Sequence, residues 1–128
     1  MSAGGILIVD DSVEILRALA TIIKRAGLVP RPVTSGKLAI EAAIAEPPSL
    51  VLLDMQMPDM SGVELYAAVK QQWPELAERF IFITGGAFSA EARRFLEEPD
   101  IACINKPFQL RELLELIEAR VGAGEAQA

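Results

Sequence analysis

Five short apolar runs, separated by stretches with helical periodicity, are the feature that most restricts how this 128-residue chain can fold. Each run has the length of a β-strand, and strict alternation of strands and helices is typical of a parallel sheet covered on both faces. Right-handed crossovers favour a doubly wound, flavodoxin-like α/β fold with five helices and strand order 2-1-3-4-5. The strands are predicted at residues 5–9, 28–33, 50–53, 80–83 and 101–104.

Proline and glycine positions add detail to this fold. Pro30 and Pro32 place the second strand at an edge of the sheet, because proline cannot donate to a strand ladder. Gly27 is expected to end the first helix. The domain is predicted to cover residues 1–121, and the small, polar residues 122–128 are predicted to be a flexible tail or linker stub.

The composition excludes several classes of function. The net charge of −6 without a Lys/Arg cluster argues against direct nucleic-acid binding, and no apolar stretch is long enough for a membrane span. The chain has no histidine, so histidine-ligated metals and histidine-dependent triads are excluded. Cys103 is the single cysteine and fits a reducing compartment, so we expect the cytoplasm.

Polar residues follow four of the five predicted strands where each strand ends. Taken singly, each has an ordinary structural explanation as a helix cap, a turn residue or a solvated loop residue. The carboxyl ends of parallel strands, however, meet at one edge of the sheet, which is where open α/β sheets bind ligands. The residues that this places together are Asp10, Asp11, Asp54, Thr84 and Lys106.

This set of side chains has the chemistry of a phosphoryl-accepting site. Three carboxylates brought together repel one another unless a cation lies between them, and oxygen ligands suit Mg²⁺ or Mn²⁺. The metal and Lys106 would neutralise the phosphoryl oxygens, and Thr84 would donate a hydrogen bond to one of them. Asp54 would then attack in line.

The same motifs resemble the receiver domain of two-component response regulators, and the resemblance runs from Ile6 to Val121. They are Asp10-Asp11, the stretch DMQMPDMSG from Asp54, Thr84-Gly85, and Lys106-Pro107-Phe108.

The resemblance assigns a role to each matching residue. It implies that Asp54 is the phosphoacceptor, and that Asp11, Asp54 and the main-chain carbonyl of Gln56 hold Mg²⁺, with Asp10 assisting through water. Thr84 and Lys106 would then grip the phosphate. The family also implies a cis peptide between Lys106 and the proline that follows it.

The resemblance also implies partners and a cycle. A sensor histidine kinase or a phosphotransfer protein would donate the phosphoryl group, and the domain would catalyse its own phosphorylation and dephosphorylation without being a classical enzyme. The added charge would change what a surface of the fourth helix, fifth strand and last helix binds in an output protein or domain. The candidates for that surface, which are equally compatible with a solvated helix face, are Arg93, Arg94, Glu97 and Glu98.

Two departures from the family pattern affect these expectations. Cys103 stands three residues before Lys106, where the family usually carries Tyr or Phe, and we expect it to be a small buried hydrophobic residue. The signal would then leave by another route, such as a shift of the Gly85-Gly86 loop. The stretch from Thr84 to Phe88 resembles receivers of hybrid sensor kinases, so both a stand-alone regulator and a fragment of a longer protein stay open.

Two alternative functions also stay open. A phosphatase of the haloacid dehalogenase type uses an Asp nucleophile at a strand end, but it needs a second acid where this chain has Gln56. A pseudo-receiver would dock partners without being phosphorylated. The lifetime of a phosphorylated Asp54 depends partly on the residues two positions after Asp54 and two positions after Thr84, which are Gln56 and Gly86. Neither is expected to position the water that attacks the phosphoryl group, so hydrolysis is predicted to be slow.

Overall fold

The computed structural model describes residues 4–55, 62–85, 90–98, 101–105 and 109–126. Within these residues the chain forms five strands and six helices that alternate along most of the sequence. In chain order they are β1 Ile6–Val9, α1 Val13–Arg25, β2 Pro30–Val33, α2 Gly36–Ala45, β3 Leu50–Asp54, α3 Gly62–Gln72, α4 Pro74–Ala77, β4 Phe80–Thr84, α5 Ala90–Leu96, β5 Ala102–Asn105 and α6 Leu110–Ala126.

The five strands of the described residues form one parallel sheet with the order β2-β1-β3-β4-β5. This confirms the predicted doubly wound α/β fold and its strand order. The register pairs Val9 with Leu53, Asp54 with Ile83, and Thr84 with Asn105. The last residues of the central strands therefore lie side by side at the carboxyl-terminal end of the sheet.

Strand β2 lies at an edge of the sheet, as its two prolines predict. The carbonyl groups of Val29 and Val33 accept hydrogen bonds from Ile6 and Asp10 in and after β1. Each residue of a strand points its N–H and C=O to the same side, and the side alternates along the strand. Pro30 and Pro32 therefore direct their missing N–H positions away from β1, where no strand partner is lost.

Apolar side chains of the strands pack on both faces of the sheet. One face is covered by α1 and α6 and the other by α2, α3 and α5, which matches the expected burial on both faces. The first cluster is built from Ile6, Ile8, Leu16, Leu19, Ile23, Leu50, Leu52, Ile81, Ile83, Ile104, Leu113 and Ile117. The second is built from Leu7, Val9, Ala39, Val51, Leu53, Met55, Leu65, Val69, Leu76, Phe80 and Phe82, with Phe95 and Leu96 of α5 packed against it.

Helix α1 ends where its glycine predicts. Gly27 has a φ of +86°, a left-handed conformation that side chains with a Cβ rarely adopt. Its N–H donates to Lys24 O at 3.0 Å, and the N–H of Leu28 donates to Ile23 O at 3.1 Å. These two bonds form a Schellman motif, which satisfies carbonyl groups at the helix end and turns the chain toward β2.

The number of helices corrects one expectation from the sequence. The predicted count of five is wrong, because a short helix, α4, begins at Pro74 directly after α3 ends at Gln72. Proline cannot continue α3, because it lacks the N–H that an interior helix position needs. It can start α4, because that N–H is not needed in the first turn of a helix. The last helix continues to Ala126, and the flexible tail or linker stub at residues 122–128 stays a prediction. The domain end at residue 121 stays a prediction.

Cys103 is also placed differently from the expectation. It is exposed on β5, whereas we expected a buried side chain. The reason is its strand: β5 is the edge strand opposite β2, and only Ile104 among its residues is buried. None of the helices in the described part of the chain combines the length and the apolar character that a membrane span requires.

Candidate functional site

Three buried polar side chains lie at the carboxyl ends of the central strands. Asp10 follows β1 directly, Asp54 is the last residue of β3, and Thr84 is the last residue of β4. Their exposed fractions are only 1%, 7% and 2%. Because Val9 is the register partner of Leu53, Asp10 lies beside Asp54. The sheet itself therefore brings together residues that are more than forty positions apart in sequence.

The turn after β1 fixes the acidic pair. Asp10 Oδ1 accepts the N–H of Ser12 at 2.9 Å, and Ser12 Oγ accepts the N–H of Ile15 at 3.3 Å as the N-cap of α1. The two bonds set the direction in which the chain leaves the sheet and enters the helix. Asp11 lies between these two residues and is exposed. One carboxylate of the pair is therefore buried in the site and the other faces solvent.

The three carboxylates form a compact oxygen cluster. One oxygen each from Asp10, Asp11 and Asp54 lies within 4.8 Å of the other two. In an octahedral Mg²⁺ site with bonds of about 2.1 Å, ligand oxygens lie about 2.9 to 4.2 Å apart, so small side-chain rotations bring this set into range. The donors are all hard oxygens, which Mg²⁺ and Mn²⁺ prefer. The residues therefore fit the predicted metal.

The segment after Asp54 is held close to the start of α3. The N–H of Met55 donates to Ile83 O at 3.1 Å, and the N–H of Gly62 donates to Met55 O at 3.3 Å. A Cβ at Gly62 would lie 2.7 Å from Met55 Sδ and 3.1 Å from Met55 Cα, so a side chain there would force Met55 to shift. Met55 and Gly62 are therefore held together beside the acidic cluster.

The hydroxyl of Thr84 has a partner that the sequence reasoning missed. Thr84 Oγ1 donates a hydrogen bond to Asn105 Oδ1, at the end of the neighbouring strand β5. The two residues are register partners, and Asn105 is exposed. The available indication was that Thr84 and Asn105 each directly follow a predicted strand, 80–83 and 101–104, and that these two strands are neighbours in the predicted order. Nothing in the composition of β5 singles out an asparagine.

Lys106, with its predicted cis peptide bond to Pro107, and Gln56 lie outside the described residues, as do Gly86 and Phe88. Their roles stay predictions. The fourth predicted helix is α5 in the structure, because the short helix α4 precedes it. The four candidate output residues lie on α5 and just after it, and all are exposed: Arg93, Arg94, Glu97 and Glu98.

Comparison with known proteins supports the same interpretation. The family model for the response regulator receiver domain matches residues 6–118. The response regulator receiver protein CpdR of Brucella abortus is 34% identical over 113 residues, which cover 88% of this chain and 92% of CpdR. The transcriptional regulatory protein KdpE of Mycobacterium tuberculosis is 30% identical over 123 residues, which cover 96% of this chain and 53% of KdpE.

Solved structures share the fold. The crystal structure of a CheY-like response regulator receiver domain protein from Methanospirillum hungatei superimposes with a TM-score of 0.85 at 31% identity, covering 96% of this chain and 97% of that one. The chain spans only between 25% and 53% of the length of several curated relatives that it matches, KdpE among them. With the family model matching most of its length and the acidic cluster at the expected sheet edge, this chain belongs to the response regulator receiver domain family.

Proposed function

We propose that this domain accepts a phosphoryl group on Asp54 from a phosphohistidine of a partner protein, and that the modification switches a protein-binding surface. The observation that carries the proposal is the three-carboxylate cluster, in which Asp54 is the member that ends the central strand β3. Strand β3 lies between β1 and β4 in the sheet, so the backbone that carries the nucleophile is held in place before the reaction.

The transfer is a substitution at phosphorus. A carboxylate oxygen of Asp54 forms a new P–O bond as the P–N bond of the donor breaks, and the imidazole nitrogen takes the electron pair and a proton. The product is an acyl phosphate on Asp54 and a neutral histidine on the donor. Hydrolysis later returns the carboxylate and inorganic phosphate.

The surrounding residues divide the remaining work. Mg²⁺ held by Asp11, Asp54 and the main-chain carbonyl of Gln56, with Asp10 assisting through water, would neutralise charge on the transferring oxygens. Asp10 is buried and accepts the N–H of Ser12, which holds its carboxylate in the turn after β1. By the family pattern, Lys106 adds a second positive charge. The domain thus catalyses its own phosphorylation and dephosphorylation rather than turning over a separate substrate.

The partners follow from this chemistry. The donor would be a sensor histidine kinase or a phosphotransfer protein, and the receiver of the signal would be an output protein or domain. The exposed charged residues of α5 are candidates for the responding surface, since α5 packs against β4 through Phe95 and Phe82.

Intact mass after incubation with acetyl phosphate tests the proposal. With Mg²⁺ the wild-type chain should gain the mass of one phosphoryl group, and EDTA or the Asp54→Asn substitution should abolish the gain. The matched control is Glu75→Gln, which removes one exposed carboxylate at the opposite end of the sheet and should leave the gain intact. An unmodified wild-type chain with both acetyl phosphate and a phosphohistidine donor would instead support a pseudo-receiver. Turnover of a small phosphate ester that depends on Asp54 would support a phosphatase.

A further inference from the structure

We propose that Asn105 is a positioning residue of the switch: its side-chain oxygen competes with the phosphoryl group for the hydroxyl of Thr84. This inference rests on the proposed phosphorylation of Asp54 and adds a residue to it. The geometry behind it is the hydrogen bond from Thr84 Oγ1 to Asn105 Oδ1 between the last residues of β4 and β5.

The competition follows from the chemistry of a hydroxyl. A threonine hydroxyl carries a single proton, so it can donate only one hydrogen bond at a time. Thr84 is 2% exposed, and a buried hydroxyl that loses its acceptor is costly unless another acceptor replaces it. Thr84 therefore has two alternative acceptors, Asn105 Oδ1 before phosphorylation and a phosphoryl oxygen afterwards.

The two ends of this bond are not equivalent. Asn105 is exposed, so water can satisfy its side-chain amide when Thr84 leaves, whereas Thr84 has no such replacement. The bond therefore stabilises the unphosphorylated arrangement without trapping it. Removing the acceptor should raise the free energy of the unphosphorylated state alone and shift the switch toward the phosphorylated arrangement.

The strand geometry makes Asn105 well suited to this role. Asn105 and Cys103 alternate with the buried Ile104 and lie on the same face of β5. Cys103 carries no ring, and the amide of Asn105 is the polar group of this face that contacts Thr84. A change at Thr84 is thereby passed to the exposed edge strand that directly precedes Lys106.

Beryllium fluoride, a phosphoryl mimic, provides the test. Its apparent Kd in the presence of Mg²⁺ would be measured for the wild-type chain, Asn105→Ala, Thr84→Val and the double variant. Loss of one neutral hydrogen bond should tighten binding to Asn105→Ala about 2- to 10-fold. In the Thr84→Val background, the Asn105→Ala substitution should have no effect. A merely structural role for Asn105 would give the same change in both backgrounds.

A second variant guards against poor folding, and the outcomes separate the two proposals. Asn105→Leu keeps the side-chain volume and lacks the acceptor, so it should tighten binding as Asn105→Ala does. Equal affinity in the wild type and both Asn105 variants, or an equal change in the Thr84→Val background, overturns the role of Asn105 while phosphorylation of Asp54 stands. Absence of both beryllium fluoride binding and the acetyl phosphate adduct overturns the two together.

Discussion

The aromatic contact between Phe82 of β4 and Phe95 of α5 predicts a measurable energetic coupling between the sheet and the helix that carries the candidate output residues. The ring centroids lie 5.2 Å apart at an interplanar angle of 89°, an edge-to-face arrangement. Such pairs contribute about 0.5–1.5 kcal/mol beyond the area they bury. Phe82 is fully buried and two residues before Thr84, so this contact is a direct link from the site to α5.

A double-mutant cycle measures this coupling. Phe82→Leu, Phe95→Leu and the double variant would be unfolded in urea, and the free energies of unfolding compared. We expect Phe82→Leu alone to lower the free energy of unfolding by about 1–3 kcal/mol, because a buried ring is replaced by a smaller side chain. The double variant should lose about 0.5–1.5 kcal/mol less than the sum of the two single losses.

The control uses the neighbouring residue of the same strand. Ile83 is also buried, but it belongs to the cluster on the opposite face of the sheet. Ile83→Val should cost about 0.5–1.5 kcal/mol by itself and should be additive with Phe95→Leu. A coupling of zero for the Phe82 pair, or one no larger than that of the Ile83 pair, would refute the link between β4 and α5 through these rings.

Three further predictions concern stability, metal binding and lifetime. Arg31→Ala should lower the free energy of unfolding in urea by about 2–4 kcal/mol, because the half-buried guanidinium donates to Gly4 O at 2.6 Å and to Ala42 O at 3.0 Å. The control, Arg17→Ala, removes an exposed arginine and should change this free energy by less than about 0.5 kcal/mol. Equal losses in the two variants would contradict the prediction. Saturating Mg²⁺ should raise the melting temperature in a thermal-shift assay, by an amount equivalent to about 2.7 kcal/mol at a hundred times Kd, and Asp11→Asn should abolish most of the rise. Phosphorylated protein freed of donor should decay slowly by intact mass, and a half-life of seconds would exclude this.

Much of the fold could be predicted because local patterns and sheet geometry agree. The apolar runs gave the strands, and Pro30 and Pro32 correctly identified an edge. The acidic cluster followed from one rule, since the carboxyl ends of parallel strands meet. Residues such as Asp10 and Asp54 could therefore be placed together without knowledge of any side-chain contact.

The remaining features depend on tertiary context that the sequence pattern does not carry. Pro74 both ends and begins a helix, and only the three-dimensional path of the chain separates these two functions. Cys103 is exposed because β5 is an edge strand, although the residue type is usually buried. The hydrogen bond from Thr84 to Asn105 depends on the exact register of β4 and β5, which a one-residue slip would remove.

The most direct test of the central claim is the mass of the wild-type chain after reaction with phosphoramidate, whose P–N bond mimics phosphohistidine. We predict one phosphoryl adduct that needs Mg²⁺, disappears on treatment with hydroxylamine as an acyl phosphate should, and does not form on Asp54→Asn. An adduct that resists hydroxylamine, or one that forms equally on Asp54→Asn, would contradict phosphorylation of Asp54.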